Sequence, residues 1–282
     1  MGGERFISTE ILTTESTPSI LREIAQKREQ KGTTEILVPY IDRIRQQAEK
    51  LGDRSAVVQL YQEKFLSVQH ALMEERSKKL HANPLRVAKW FPVMAKTVVD
   101  MKKYEEKYHD QIDPVIGARV YRFLGRFADQ KGQYSESEKL YKKGLSYFDS
   151  LTKPEERYHR LELTGFISHS QIKQGKKEGL DLATQTLKDF DTSPEGLWLK
   201  ENDYYTWAVW KSGIEIRTAQ HYCQKNDTQK LEIMRDWIVD AESILQTPDG
   251  DKEPFEIRLD ELNNVKELIK SKPREQDMLD KY

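Results

Sequence analysis

Histidine and cysteine side chains are the first candidates for chemistry in this sequence. The chain has one cysteine, Cys223, and His221 lies two residues before it, a pairing that could activate a thiolate on a loop. On a helix, residues two apart point to different sides. No glycine-rich nucleophile elbow or oxyanion-hole motif accompanies the pair. We therefore predict that His221 and Cys223 are not a catalytic pair and that the protein is not an enzyme.

Metal and nucleotide motifs are also missing from the sequence. None of the six histidines forms an H-x-x-x-H or H-E-x-x-H spacing, and one cysteine excludes a multi-thiolate zinc or iron–sulfur site within one chain. The sequence contains neither GxxxxGK[ST] nor GxGxxG. We predict no metal site and no cofactor.

The charge balance and the hydropathy exclude several classes of partner. Lys and Arg total 46 against 47 for Asp and Glu, which gives a net charge of −1 and no electrostatic reason to expect nucleic acid or an anionic membrane. No run of eighteen apolar residues could form a membrane span, and the N-terminus lacks the apolar stretch of an export signal. With a single cysteine, this pattern predicts a cytoplasmic protein in a reducing compartment.

Proline positions indicate where helices begin. Proline suits the first helical turn because its missing N–H has no partner there, and six of the ten prolines open apolar-periodic segments: Pro18, Pro84, Pro114, Pro154, Pro194 and Pro254. Pro39 and Pro92 lie among apolar residues, and each either starts a helix late or kinks one.

Apolar residues recur at helical spacing along most of the chain. They predict about eleven helices and no strand, over residues 18–31, 36–51, 54–79, 84–108, 114–131, 135–149, 154–174, 177–190, 197–224, 228–246 and 254–271. The connections are short, which favours stacked antiparallel helical hairpins over a bundle with long crossovers. We expect one helical domain over 17–272, with a flexible N-terminus over 1–16 and a flexible C-terminal tail over 273–282.

Residues 118–150 carry the clearest pattern in the sequence. The pattern begins with a large residue, a Leu-Gly pair and a turn glycine, and it ends with an aromatic residue and a small–aromatic–small series. In order, these residues are Tyr121, Leu124, Gly125, Gly132, Tyr134, Ser137, Tyr141 and Gly144. This segment resembles the tetratricopeptide repeat. Weaker matches to the same pattern align Gly175 and Gly52 with Gly132. A further hairpin is expected to have its turn at Asn226 and Asp227. The resemblance implies an α-solenoid, a right-handed superhelix of hairpins.

A binding surface follows from the same resemblance. In tetratricopeptide-like proteins the first helix of each pair lines a concave groove that holds a peptide or a partner helix, which implies a scaffold or adaptor function. The matching positions here are Arg122, Arg126 and Asp129, followed by Glu162, His169 and Lys173. Paired arginines could grip a carboxylate, so the expected partner is a protein or peptide with acidic groups. The alternative for each arginine is a solvated helix face.

Two other function classes stay open. One is a peptide-sensing regulator with an N-terminal effector unit, since residues 20–41 faintly resemble a helix-turn-helix. They offer few basic residues, so DNA binding is not expected. The other is an enzyme on an all-α scaffold, whose catalytic groups would converge from distant helices. Tyr204, Trp207 and Trp210 share one helix face, and we predict that they fill the core rather than an interface.

Overall fold

The structure of the chain, a computed structural model, describes residues 13, 15–28, 32–77, 83–246 and 255–271. Within these ranges every regular element is a helix and there is no strand. The all-α prediction is therefore confirmed for the described residues. The described parts of the chain fall into two compact units, the first unit within Met1–Phe127 and the second unit within Ala128–Tyr282. The expected flexible segments 1–16 and 273–282 lie, apart from residues 13, 15 and 16, outside the described residues.

The first unit is built around one long helix. α3 packs against α1, α2 and α4, and its Phe65 ring contacts Phe123 at 5.1 Å between ring centroids. The apolar core of this unit includes the fully buried residues Ile24, Leu37 and Ile41. The helices begin and end as follows: α1 Thr17–Arg28, α2 Thr34–Leu51, α3 Arg54–Ser77, α4 Pro84–Tyr108, the 3₁₀ helix His109–Gln111, and α5 Pro114–Gln130, which continues into the second unit.

The second unit is a series of helices in contact with near neighbours in sequence. α8 packs against α6, α9 and α11, and α11 packs in turn against α12 and α13. Gly165 allows α8 to approach α11 closely, because a Cβ there would lie 2.5 Å from Ile214. The remaining helices are α6 Tyr134–Ser146, α7 Pro154–Arg157, α8 His159–Lys173, α9 Glu178–Thr192, α10 Pro194–Asn202, α11 Tyr204–Lys225, α12 Thr228–Leu245 and α13 Glu256–Lys270.

The helix boundaries agree with most of the sequence prediction, with two interruptions. The segment predicted over 154–174 divides at Tyr158, and the segment over 197–224 divides at Asp203. Asp203 ends α10 and its side chain accepts from the backbone N–H of Thr206 at 3.0 Å, so it caps the next helix. Pro39 and Pro92 both lie inside helices, in α2 and α4, and neither starts one. Pro254 lies outside the described residues.

Four helices end in the same way. The N–H groups of Asp53, Gln133, Lys176 and Asp227 donate to the carbonyls five residues earlier. The residue before each donor has a positive φ: Gly52 at 77°, Gly132 at 72°, Gly175 at 74° and Asn226 at 54°. This is the Schellman ending, in which a left-handed residue closes the last turn. The turns of the resembling hairpins therefore share one backbone geometry.

Candidate functional site

The last turns of three helices in the second unit carry the side chains of the candidate site. Lys173 is the last residue of α8, while His221 and Lys225 lie in the last turns of α11, which packs against α8. We name Lys173, His221 and Lys225 the basic cluster. Among the described residues, the carboxylate whose charge acts on Lys173 is that of Asp129, near the end of α5.

Hydroxyl groups, rather than a cation, hold the Asp129 carboxylate. The Tyr141 hydroxyl donates to Asp129 Oδ2 at 2.6 Å, and the Ser170 hydroxyl donates to Oδ1 at 3.3 Å. Ser170 Oγ also bonds Ser137 Oγ at 2.8 Å. The tyrosine, the two serines and the carboxylate thus join the ends of α5, α6 and α8.

The basic cluster is short of negative charge. Burial lowers the pKa of Lys173, the charge of Lys225 lowers it further, and Asp129 offsets only part of this effect. His221 is 8% exposed, and burial together with the charges of Lys173, Lys225 and Lys230 lowers its pKa from 6.5 to about 4. No ion pair of Lys173 or Lys225 occurs among the described residues. The fold therefore keeps like charges close together without neutralising them.

A neighbouring carboxylate shows the opposite arrangement. Glu138 on α6 is buried and accepts bonds from the side chains of Lys142, Gln171, Gln174 and Lys176, at 2.7 to 3.0 Å. Burial alone would raise its pKa, but these donors lower it to about 2. Glu138 is therefore a fully ionised structural group that ties α6 to α8 and to the turn after it.

A second cluster of ionisable groups lies at the other end of α11. Lys211 is 5% exposed, and its ammonium contacts Asp191 at 2.8 Å and Asp240 at 2.9 Å. Burial lowers its pKa, but the two carboxylates outweigh burial and the net shift is upward. Glu215, one turn further along α11, is 1% exposed, and burial followed by Asp240 raises its pKa well above 4.5. We name these four residues the paired cluster.

Neutral Glu215 completes the paired cluster. Its protonated carboxyl donates to Asp240, which helps to lower the pKa of Asp240 against the effect of burial. One ammonium then faces two carboxylates and one carboxylic acid. The Lys211 ammonium is therefore paired with carboxylates within the protein, as expected for a structural network.

The six predicted partner-binding residues lie on two helices, α5 and α8. Arg122 and Arg126 lie on the part of α5 that belongs to the first unit, and both are partly buried; the Arg122 guanidinium lies 5.0 Å from the Phe123 ring centroid. Asp129, on the same helix, belongs to the second unit. Their joint role in one groove stays a prediction.

The other three predicted residues lie on α8. Glu162 is buried, while His169 and Lys173 are partly buried. When α5 and α8 are aligned on their Schellman glycines, Gly132 and Gly175, His169 aligns with Arg126. In the same alignment, Glu162 aligns with Arg119 and Lys173 aligns with Gln130. Only Lys173 belongs to the basic cluster.

Sequence reasoning missed both clusters. Lys211 and Glu215 are four residues apart on the buried side of α11, and two charged residues inside an otherwise apolar helix face were the available signal. His221 was considered only with Cys223, which is 1% exposed. Lys225 lies four residues after His221 on the same helix and was recognisable by spacing, whereas Lys173 and Lys230 come from other helices and were not.

The aromatic group predicted to fill the core does so in part. Trp207 is buried and its Nε1 donates to the Phe190 carbonyl at 3.0 Å. Trp210 is half-buried and stacks with Tyr158 at 5.9 Å between ring centroids. Tyr204 is partly exposed, and its hydroxyl donates to the Ile244 carbonyl at 3.0 Å.

The described residues also bear on metal binding and on membrane insertion. No group of three or more His, Cys, Asp or Glu side chains in that part of the chain is arranged to hold a metal ion. Among the helices described, none has the length and apolar character needed to cross a membrane. Comparisons of the sequence and structure with protein-family models, curated proteins and solved structures found no match.

Proposed function

We propose that the protein is an interaction scaffold whose second unit binds an acidic peptide segment at the basic cluster. The observation that carries this proposal is the uncompensated charge of Lys173 and Lys225, next to the buried and neutral imidazole of His221. Perturbed ionisable groups that the fold leaves unneutralised are more frequent at functional sites than elsewhere. A ligand carboxylate would supply the missing negative charge and would be bound through charge-assisted hydrogen bonds.

The repeated hairpin ends support the scaffold part of the proposal. In a right-handed solenoid of such hairpins, first helices lie side by side and expose a continuous concave surface. On this hypothesis the last turns of α8 and α11 form one end of a groove in which an extended peptide lies. The proposed location is the cytoplasm, where the lone thiol would stay reduced.

A labelled acidic peptide provides the direct test. We would measure fluorescence anisotropy with a peptide of about twelve residues rich in Glu and Asp, beside a matched peptide in which amides replace the acids. We expect the acidic peptide to bind and the amide peptide to bind at least about tenfold more weakly. Affinity should fall with added salt because the basic cluster is partly accessible.

Two pairs of lysine substitutions distinguish peptide binding at the basic cluster from attraction to surface charge in general. Lys173→Gln combined with Lys225→Gln should weaken binding of the acidic peptide by about tenfold. Lys139→Gln with Lys188→Gln, two exposed lysines of α6 and α9, removes the same charge elsewhere and should leave affinity nearly unchanged. Equal loss in both variants, or no binding by any acidic peptide, would contradict the proposal.

The arginine prediction is tested with the same peptide. If Arg122 and Arg126 belong to the groove, replacing both with alanine in the Lys173→Gln and Lys225→Gln variant should weaken peptide binding further. Unchanged affinity would assign the two arginines to a solvated helix face and would leave the basic cluster as the binding site.

A further inference from the structure

The outer side of α4 in the first unit is apolar and exposed. Leu85 is 80% exposed and Val99 is 49% exposed, while Ala88 and Pro92 are exposed and Ala95 is partly buried. We name these five residues the α4 face. They follow one another at intervals of three, four, three and four residues. The opposite side of α4 is buried in the first unit through residues such as Trp90, Met94 and Met101.

The spacing on the α4 face is that of a coiled-coil seam. Alternating intervals of three and four keep apolar side chains in one line that a second helix can follow. The line from Leu85 to Val99 is about 21 Å long at 1.5 Å per residue. This length matches about four turns of a partner helix.

The two edges of the α4 face differ in charge. Lys89, Lys96 and Lys103 are exposed and recur every seven residues along one edge. Lys96 pairs with Asp100 on the same helix, and the Lys89 ammonium lies 4.5 Å from the Trp90 ring centroid. The other edge carries the exposed ring of Phe91, which contacts Phe127 at 6.2 Å between ring centroids.

We propose that the α4 face binds an amphipathic helix of a partner protein whose flanking positions are acidic. Leucine-type side chains of that helix would pack along Leu85, Ala88, Pro92, Ala95 and Val99. Its glutamates would pair with Lys89, Lys96 and Lys103, in the way that edge charges select partners in coiled coils.

The charge pattern disfavours the two other occupants of such a face. A second copy in antiparallel orientation would place lysine edge against lysine edge, and a parallel copy would place the lysines against Phe91. A helix that lies on an anionic membrane is rich in lysine and arginine across its polar face, whereas lysines next to the α4 face are accompanied by acidic residues, as in the pairs of Lys96 with Asp100 and Lys102 with Glu106. An acidic amphipathic helix would pair with the lysines and cover the apolar residues of the α4 face at the same time.

The proposal is tested with designed helical peptides of about three heptads. One has leucine at the seam and glutamate at the flanking positions, and its counterpart has lysine in place of glutamate. By fluorescence anisotropy the acidic peptide should bind the full chain at least about tenfold more tightly than the basic peptide. Equal binding of the two peptides, or no binding of either, would overturn the proposal.

Surface variants locate the binding to the α4 face. Leu85→Gln with Val99→Gln should weaken acidic-peptide binding about tenfold, whereas the control Ile36→Gln with Val239→Gln changes two other exposed apolar residues and should not. Changing Lys89, Lys96 and Lys103 to glutamate should reverse the preference between the two peptides. Retention of the original preference would refute the role of the lysine edge.

Two further measurements decide among occupants. A dimer in sedimentation analysis that disappears with Leu85→Gln and Val99→Gln would assign the face to a second copy and refute the proposal. Co-sedimentation with phosphatidylserine vesicles that the same variant abolishes would assign it to a membrane and refute it equally. Because this surface lies outside the basic cluster, the Lys173→Gln and Lys225→Gln variant should bind the designed peptide normally.

Discussion

Two lysines of the second unit occupy opposite electrostatic environments. Lys211 is buried between two carboxylates, which raise its pKa despite burial. Lys173 is partly buried beside another lysine, and its pKa is lowered. The fold neutralises the charge of the first lysine and leaves that of the second unneutralised. A lysine therefore contributes to stability at one site, and we propose that a lysine binds a ligand at the other.

The largest expected effect comes from removing the neutralised lysine. Lys211→Met leaves Asp191 and Asp240 without their ammonium and should lower the free energy of unfolding by roughly 2–3 kcal/mol. Lys173→Met should change it by no more than about 0.5 kcal/mol. Chemical denaturation of both variants checks the contrast, and similar losses for the two lysines would remove the distinction between the clusters.

The next effect depends on pH and concerns Glu215. Its raised pKa means that the unfolded chain releases this proton above pH 4.5, while the folded chain keeps it. Stability is therefore lost as pH rises, up to the folded pKa. Glu215→Gln copies the neutral acid and should match the wild type near pH 4 and become progressively more stable than it at higher pH. Denaturation curves across that range measure the difference, and a constant offset would speak against a protonated Glu215.

A smaller effect concerns the pKa of His221 in the basic cluster. Removing charge by Lys173→Gln with Lys225→Gln should raise the pKa of His221 from about 4 towards 6.5, because the ammonium groups no longer repel its proton. NMR titration of the imidazole follows this directly. In the wild type, stability due to His221 is complete above pH 6.5 and falls as pH drops towards 4. The variant should lose part of that dependence, and an unchanged His221 titration would show that burial alone sets the pKa.

The smallest expected effect concerns the carboxylate beside Lys173. Asp129→Asn keeps an acceptor for the Tyr141 hydroxyl and removes the charge that partly offsets Lys225. The pKa of Lys173 should fall further, while an acidic peptide should bind about two- to threefold more tightly because it loses a competing negative group. The anisotropy experiment measures this gain, and weaker binding would indicate that Asp129 contacts the peptide instead.

The sequence predicted the helices because their local signals are strong. Capping residues before proline, such as Asn83 before Pro84, and apolar periodicity mark most boundaries within a few residues. The interruption at Asp203 was missed because apolar spacing continues across it, and only a cap marks the break. The turn residues Gly132, Gly175 and Asn226 were predicted correctly, since few residues adopt a positive φ.

The candidate site was less predictable because charge compensation is a property of three dimensions. Lys173 was named from the resemblance, but the sequence does not show that Lys225 and Asp129 act on its charge or that Lys173 acts on His221. The local pattern places Lys211 and Glu215 together on one side of α11, but it does not show that Asp191 and Asp240 contact Lys211. Helices follow from neighbouring residues, whereas the ionisation of Lys211 and Lys173 also depends on residues twenty or more positions away.

The buried thiol of Cys223 offers a built-in reporter for the end of α11. The chain contains one cysteine, so every molecule of a thiol-reactive dye that couples to the protein marks that position. Coupling under native conditions requires a transient opening of the last turns of α11, and its rate measures how often they unfold. An occupied groove should slow this labelling, which would allow ligand screening without any engineered probe.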